Sequence, residues 1–181
     1  MMSEDEYLER LRELVLSGES FEAPPEVFPT LDEALKAFPD SARLWVRRGM
    51  AIQLAPEDSS WTLEDSLASF EKAAALDPSD ASAFEEIGYF HDVHTHDYPR
   101  AEQAFRRAVE LGAGSRSYEG LSRVLAELGR REEALSALRK FPVKDSLEDL
   151  EGEARRDELE KEIAAGLWDP DSKSEPGGKT G

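Results

Sequence analysis

Phe84-Glu85-Glu86-Ile87-Gly88, followed by Ala101-Glu102-Gln103-Ala104-Phe105-Arg106-Arg107-Ala108, carries the architectural information in this chain. An aromatic and a glycine four residues apart share one face of a helix, and Ala101, Phe105 and Ala108 share one face of a second. The arrangement recurs upstream as Trp45-x-x-x-Gly49 with Ser66, Phe70 and Ala73. It recurs downstream as Tyr118-x-x-x-Ser122 with Ala134, Leu138 and Phe141. The leading aromatics stand 84 − 45 = 39 and 118 − 84 = 34 residues apart. A two-helix period near ~34 describes a stacked array, in which no helix pair buries both of its faces alone.

The spacing has a packing rationale. Gly49, Gly88 and Ser122 on first helices, and Ser66, Ala101 and Ala134 on second helices, are expected to face one another so that the backbones approach closely. The larger Trp45, Phe84, Tyr118, Phe70, Phe105 and Leu138 then fill the flanking space. No segment alternates apolar and polar residues as a half-buried strand would, so the expected fold class is all-α.

The 181 residues include 40 acidic and 22 basic side chains, a formal charge of −18. Such a charge opposes binding to nucleic-acid phosphates and anionic membranes and speeds encounter with a basic protein partner. The chain has no cysteine, which excludes disulfides and thiol chemistry. Its start, Met1-Met2-Ser3-Glu4-Asp5-Glu6, is acidic where a secretory leader is basic, and no apolar run reaches the ~20 residues of a membrane span. A cytoplasmic protein is expected.

An N-terminal helix is expected within 1–20, with Tyr7, Leu8, Leu11, Leu14 and Val15 as its apolar stripe. Residues 21–40 read as a proline-rich connector plus half a repeat, whose short helix opens at a capping box, Thr30-Leu31-Asp32-Glu33. Three helix pairs follow at 41–80, 81–114 and 115–143. In the second, Tyr98 is the expected cap before Pro99 at the first helical position. Gly129 is the expected turn of the third, and Gly112 and Gly114 replace the proline that ends the first as Leu76-Asp77-Pro78. A polar capping helix is expected at 144–168, opening at Asp145-Ser146-Leu147-Glu148, and a disordered tail at 169–181.

Over roughly Ser41 to Phe141 this pattern resembles the tetratricopeptide repeat (TPR) family. The resemblance implies a right-handed α-solenoid of antiparallel helix pairs with capping helices at both ends. It further implies a non-enzymatic adaptor or scaffold without cofactor, which binds a partner peptide or helix in a concave groove lined by the first helices. Mapped onto this chain, the groove positions are Arg43, Val46, Met50 and Gln53, then Glu85, Tyr89 and Asp92, then Arg116, Glu119 and Arg123. Family members that clamp a chaperone C-terminal carboxylate use Lys, Asn and Arg. The corresponding places here hold Val46, Met50, Glu86, Arg116 and Gly120, of which only Arg116 suits an anion. A chaperone clamp is therefore not expected.

Two other readings come from the residues themselves. The negative charge suits a regulatory inhibitor, of immunity or antitoxin type, that occludes a basic enzyme. All three histidines fall in His91-Asp92-Val93-His94-Thr95-His96-Asp97, which suggests a metal-responsive adaptor because imidazole and carboxylate ligate zinc, nickel and copper. Against it, His91 holds a repeat position usually filled by a packed aromatic, so no metal site is expected. Arg43, Arg47 and Arg48 are expected to pair with the surrounding acid, and Trp61 and Trp168 to pack against the array.

Overall fold

Residues 2–17, 22–140, 147–168 and 170 are described by the structure, a computed structural model. Among them there is no strand, and nine α-helices follow one another: α1 (Glu4–Ser17), α2 (Val27–Ala37), α3 (Ala42–Gln53), α4 (Leu63–Leu76), α5 (Ala81–Phe90), α6 (Tyr98–Glu110), α7 (Ser115–Glu127), α8 (Arg131–Leu138) and α9 (Leu147–Ala164). A π-helical turn, His91–Thr95, extends α5. The Asp145-Ser146 start and, apart from Pro170, the tail at 169–181 lie outside the described residues.

Helix ends follow side-chain chemistry, and two differ from expectation. The α2 helix begins at Val27, so Thr30 lies inside it and donates its hydroxyl to the Glu26 carbonyl at 2.7 Å instead of capping. Pro29 is tolerated because first-turn amides have no helical acceptor to lose. The α6 cap is Asp97, which accepts from the Arg100 amide at 3.2 Å, and Tyr98 is already helical. A carboxylate accepts from a free amide where a phenol ring cannot reach it. The start of α4 is fixed by a reciprocal capping box between Thr62 and Asp65.

The chain divides into two compact units, Met1–Glu86 and Ile87–Gly181. In the first, α1 packs against α2, and α2 against α3, around Tyr7, Leu11, Val27, Leu31, Ala34 and Leu44. Tyr7 donates its hydroxyl to Glu33 at 2.8 Å and meets Phe38 edge-on. The α3–α4 pair is held by Ser66 Oγ donating to the Gly49 carbonyl at 2.9 Å. The Phe70 ring covers Gly49 so closely that a Cβ there would lie 2.7 Å from Cδ1. The glycine thus receives an aromatic ring rather than only a small residue. The linker after α3 is pinned by Trp61, which stacks on Phe28 with centroids 5.6 Å apart. Arg48 lies over both Trp61 and Trp45 and donates to Ser69 Oγ, so it serves aromatic packing where an ion pair was expected.

In the second unit the fully buried Phe105 is the central side chain, set against Gly88 of α5 and Gly120 of α7. Leu121, Val124, Leu125, Ala134 and Leu138 surround it, and Ile163 of α9 joins the same core. Left-handed turns at Gly112 (φ 86°) and Gly129 (φ 73°) end α6 and α7, a conformation in which glycine carries no Cβ penalty. Trp168 packs on this core and donates its indole N–H to Glu162 at 3.0 Å.

Candidate functional site

The second unit brings several predicted groove residues together. Arg116, Glu119 and Arg123 recur at three- and four-residue steps on α7 and so share one face, while Tyr89 lies in the last turn of α5 and Asp92 in the π-helical turn that follows. Tyr89 is fixed three ways. Its hydroxyl donates to the Arg116 carbonyl at 2.7 Å, its ring meets Phe105 edge-on at 4.9 Å, and the guanidinium of Arg116 lies 4.8 Å from its centroid. Arg123 lies 5.9 Å from the same ring.

Asp92 is buried and accepts two bonds at Oδ2 from Arg123, one from Nε at 2.9 Å and a shorter one from Nη2. A buried carboxylate needs such a partner, because leaving water unpaired costs it several kcal/mol. The π-helical turn contributes here: its wider loop carries the chain through His96 in the left-handed region (φ 51°), where the His91 carbonyl accepts from the Asp97 amide at 2.9 Å. Such turns inside α-helices often mark functional positions. The resulting patch has an aromatic ring at its centre, exposed Arg116 on one side and half-buried Arg123 on the other. Glu119 lies beside it, with Arg155 of α9 at 3.8 Å, and Glu85 stands one turn before Tyr89 on α5.

The α3 residues are placed differently. Arg43 donates to Asp5 of α1 at 2.7 Å, so its cation is already engaged. Val46 is 7% exposed, a core residue rather than a contact position. Met50 and Gln53 are half-buried, and Met50 lines an apolar cleft against α1. Among the predicted positions, then, Val46 and Asp92 act from inside, because packing and pairing withdraw them from the surface.

The histidines diverge. His91 is buried with Nδ1 3.1 Å from Thr95 Oγ1, His96 sets Nδ1 3.0 Å from the Asp92 carbonyl oxygen, and His94 is exposed against Phe90. Asp97 is committed as the α6 cap. Among the described residues no group of three His, Cys, Asp or Glu side chains is arranged to hold a metal ion. Among them, too, no helix is long and apolar enough to cross a membrane.

Two overlapping segments, 63–116 and 93–147, match a tetratricopeptide repeat family model. No curated protein matches the sequence. Among solved structures the fold is similar to that of YrrB, described as a TPR protein with an unusual peptide-binding site, at 23% identity and a TM-score of 0.55. That similarity covers 75% of this chain and 60% of YrrB, so this chain spans well under the full length of that protein. MamA is similar at 22% identity and a TM-score of 0.57, covering 96% of each chain. TTC0263, a thermophilic TPR protein of Thermus thermophilus, is similar at 16% identity and a TM-score of 0.65, covering 92% of this chain and 82% of its own. At these identities the likeness is one of fold, an α-solenoid of helix pairs.

Proposed function

Because the chain is a tetratricopeptide-repeat protein, a family whose fold serves protein interaction, we propose that it is a non-enzymatic adaptor. In this reading, the face shared by the end of α5 and by α7 takes a partner peptide or helix. The observation that supports this reading is the Tyr89–Arg116–Arg123 patch, an aromatic ring flanked by two guanidinium groups. Aromatic and arginine side chains contribute most of the binding energy at interfaces, and rigid anchors lose little entropy on association. Tyr89 is held by Phe105 and by the Arg116 backbone before any partner arrives. Peptide binding by a protein of similar fold, YrrB, agrees with this reading.

The test is a quantitative affinity capture from the native organism with the wild-type chain and an Arg116→Glu variant. Arg116 is exposed, so reversing its charge leaves the core intact. Arg123 is unsuitable, because a carboxylate there would face buried Asp92. Partners recovered by wild type and lost by Arg116→Glu support the assigned face; equal recovery by both removes it.

A further inference from the structure

The first unit contains a cleft of about 280 Å³ between the end of α1, the start of α2 and the end of α3, with Leu11, Val15, Val27, Met50 and Leu54 among its walls. We propose that this cleft is a second docking site, which takes from a partner segment one large aliphatic or aromatic side chain with a carboxylate beside it. The proposal shares with the adaptor reading the premise that the chain binds protein segments. It does not depend on the α5–α7 face.

Size limits the occupant. Small-molecule sites run from about 300 to 1,000 Å³, so this cleft lies at the lower edge of that range, with room for one or two side chains. Its rim is unusually apolar: Val15 is 47% exposed, Leu16 72% and Leu54 42%, in a chain with mean hydropathy −0.59. Adjoining exposed apolar side chains on an otherwise polar surface mark interaction sites.

Charge then selects the partner. The chain carries 40 acidic residues, yet among the described residues the only ionisable ones lining the cleft are Arg12 and Arg47. The flanking arginines of α3 are committed, Arg43 to Asp5 and Arg48 to its two tryptophans and Ser69. Arg47 reaches only the sulfur of Met50, at 3.8 Å, and has no carboxylate partner among the described residues. Arg12 holds Glu9 at 3.5 Å across a solvent-exposed pair, the kind that contributes little. An arginine without a carboxylate partner beside an apolar cleft is complementary to an apolar anchor flanked by an acid. The mean field of a chain with charge −18 favours the opposite, a basic flank, so the two expectations separate cleanly.

The full chain is titrated, by fluorescence polarisation, against labelled nine-residue glycine–serine peptides bearing one Phe flanked by Glu, Ser or Lys. The expected order is Glu tightest and Lys weakest, about tenfold apart or more, with binding lost when the Phe becomes Ala. Arg47→Glu should reverse the order and Val15→Asp should abolish binding, with helicity checked by circular dichroism, while Arg107→Glu, the same charge change at an exposed position of α6, should leave the order as it is. Tightest binding by the Lys peptide, or no binding by any, overturns the proposal. Loss of binding in Arg116→Glu with retention in Arg47→Glu also overturns it and moves the segment to the α5–α7 face. Self-association of the chain that Val15→Asp removes overturns it in favour of a second copy. If the peptide results hold while native partners ignore Arg116→Glu, the face fails and the cleft stands.

Discussion

Replacing Gly120 by alanine sets two opposing effects of known size against each other at one site. In a helix interior alanine is favoured over glycine by about 0.8–1.0 kcal/mol, so propensity alone predicts a more stable protein. Packing predicts the reverse. A Cβ at Gly120 would lie 2.6 Å from Cε1 and 2.9 Å from Cε2 of Phe105, where carbon atoms rest at about 3.5–4.0 Å. The ring must retreat by about an ångström. It is fully buried, with Gly88 on α5 close enough that a Cβ there would lie 2.7 Å away and Tyr89 against it at 4.9 Å. Overpacking costs about 1–3 kcal/mol, and a ring enclosed in this way belongs in the upper half of that range. The net expectation is a loss of about 1–2 kcal/mol, or roughly 2–8 °C in Tm for a chain of this length. Thermal unfolding followed by circular dichroism measures it. Adding Phe105→Leu removes the ring tip, so the double variant should be more stable than the sum of the two single losses predicts, by about 1 kcal/mol. A rise in Tm for Gly120→Ala alone would refute the packing argument.

Three further predictions concern other contacts. Arg123→Met leaves the buried Asp92 carboxylate without its two bonds and should lower stability by about 1–3 kcal/mol in urea unfolding. That is less than the ~3–5 kcal/mol of a fully buried pair, because Arg123 is 27% exposed and solvent screens it. Trp61→Ala removes the stack on Phe28 and one of the two rings over which Arg48 lies, so protease nicking of the linker before α4 should accelerate at unchanged overall helicity. The Thr62 amide and hydroxyl hold the Asp65 carboxyl below its ordinary value of 3.8. A lowered folded value means that its stabilisation is complete above the ordinary value and drains away as pH falls through the folded one. Asp65→Asn should therefore lose stability at neutral pH and show a flatter loss in acid; a wild-type acid profile in the variant would remove this role for the cap.

Local periodicity made the helix pairs legible in the sequence. Phe70, Phe105, Gly49 and Gly88 are spaced so that one helix face must be apolar and another must admit a ring. The turn at Gly129 follows from the same logic, since a left-handed residue at a helix end favours glycine. Features set by two helices at once were not legible. Gly120 lies on α7 but is explained by Phe105 of α6, and the Arg123–Asp92 pair joins residues 31 apart in sequence. Neither has a period within one element. Competition between local signals hid others: Thr30 carries capping-box spacing, yet Val27 and Leu31 gain more by burial in a helix that starts earlier. The π-helical turn has no compositional signature, so the divergence of the three histidines emerged only with the backbone. The candidate face was thus readable as a set of positions but not as a set of contacts. Tyr89 and Arg116 stay at the surface, while Val46 and Asp92 turn inward.

The most direct test of the adaptor reading is site-specific photo-crosslinking, with a benzophenone side chain placed at position 116 on α7 or at position 107 on α6, in the native organism. The expected result is one or more discrete protein adducts from position 116, competed away by excess unlabelled chain, and none from position 107. Adducts from position 107 alone, or no adducts from either, would contradict partner binding on the α5–α7 face.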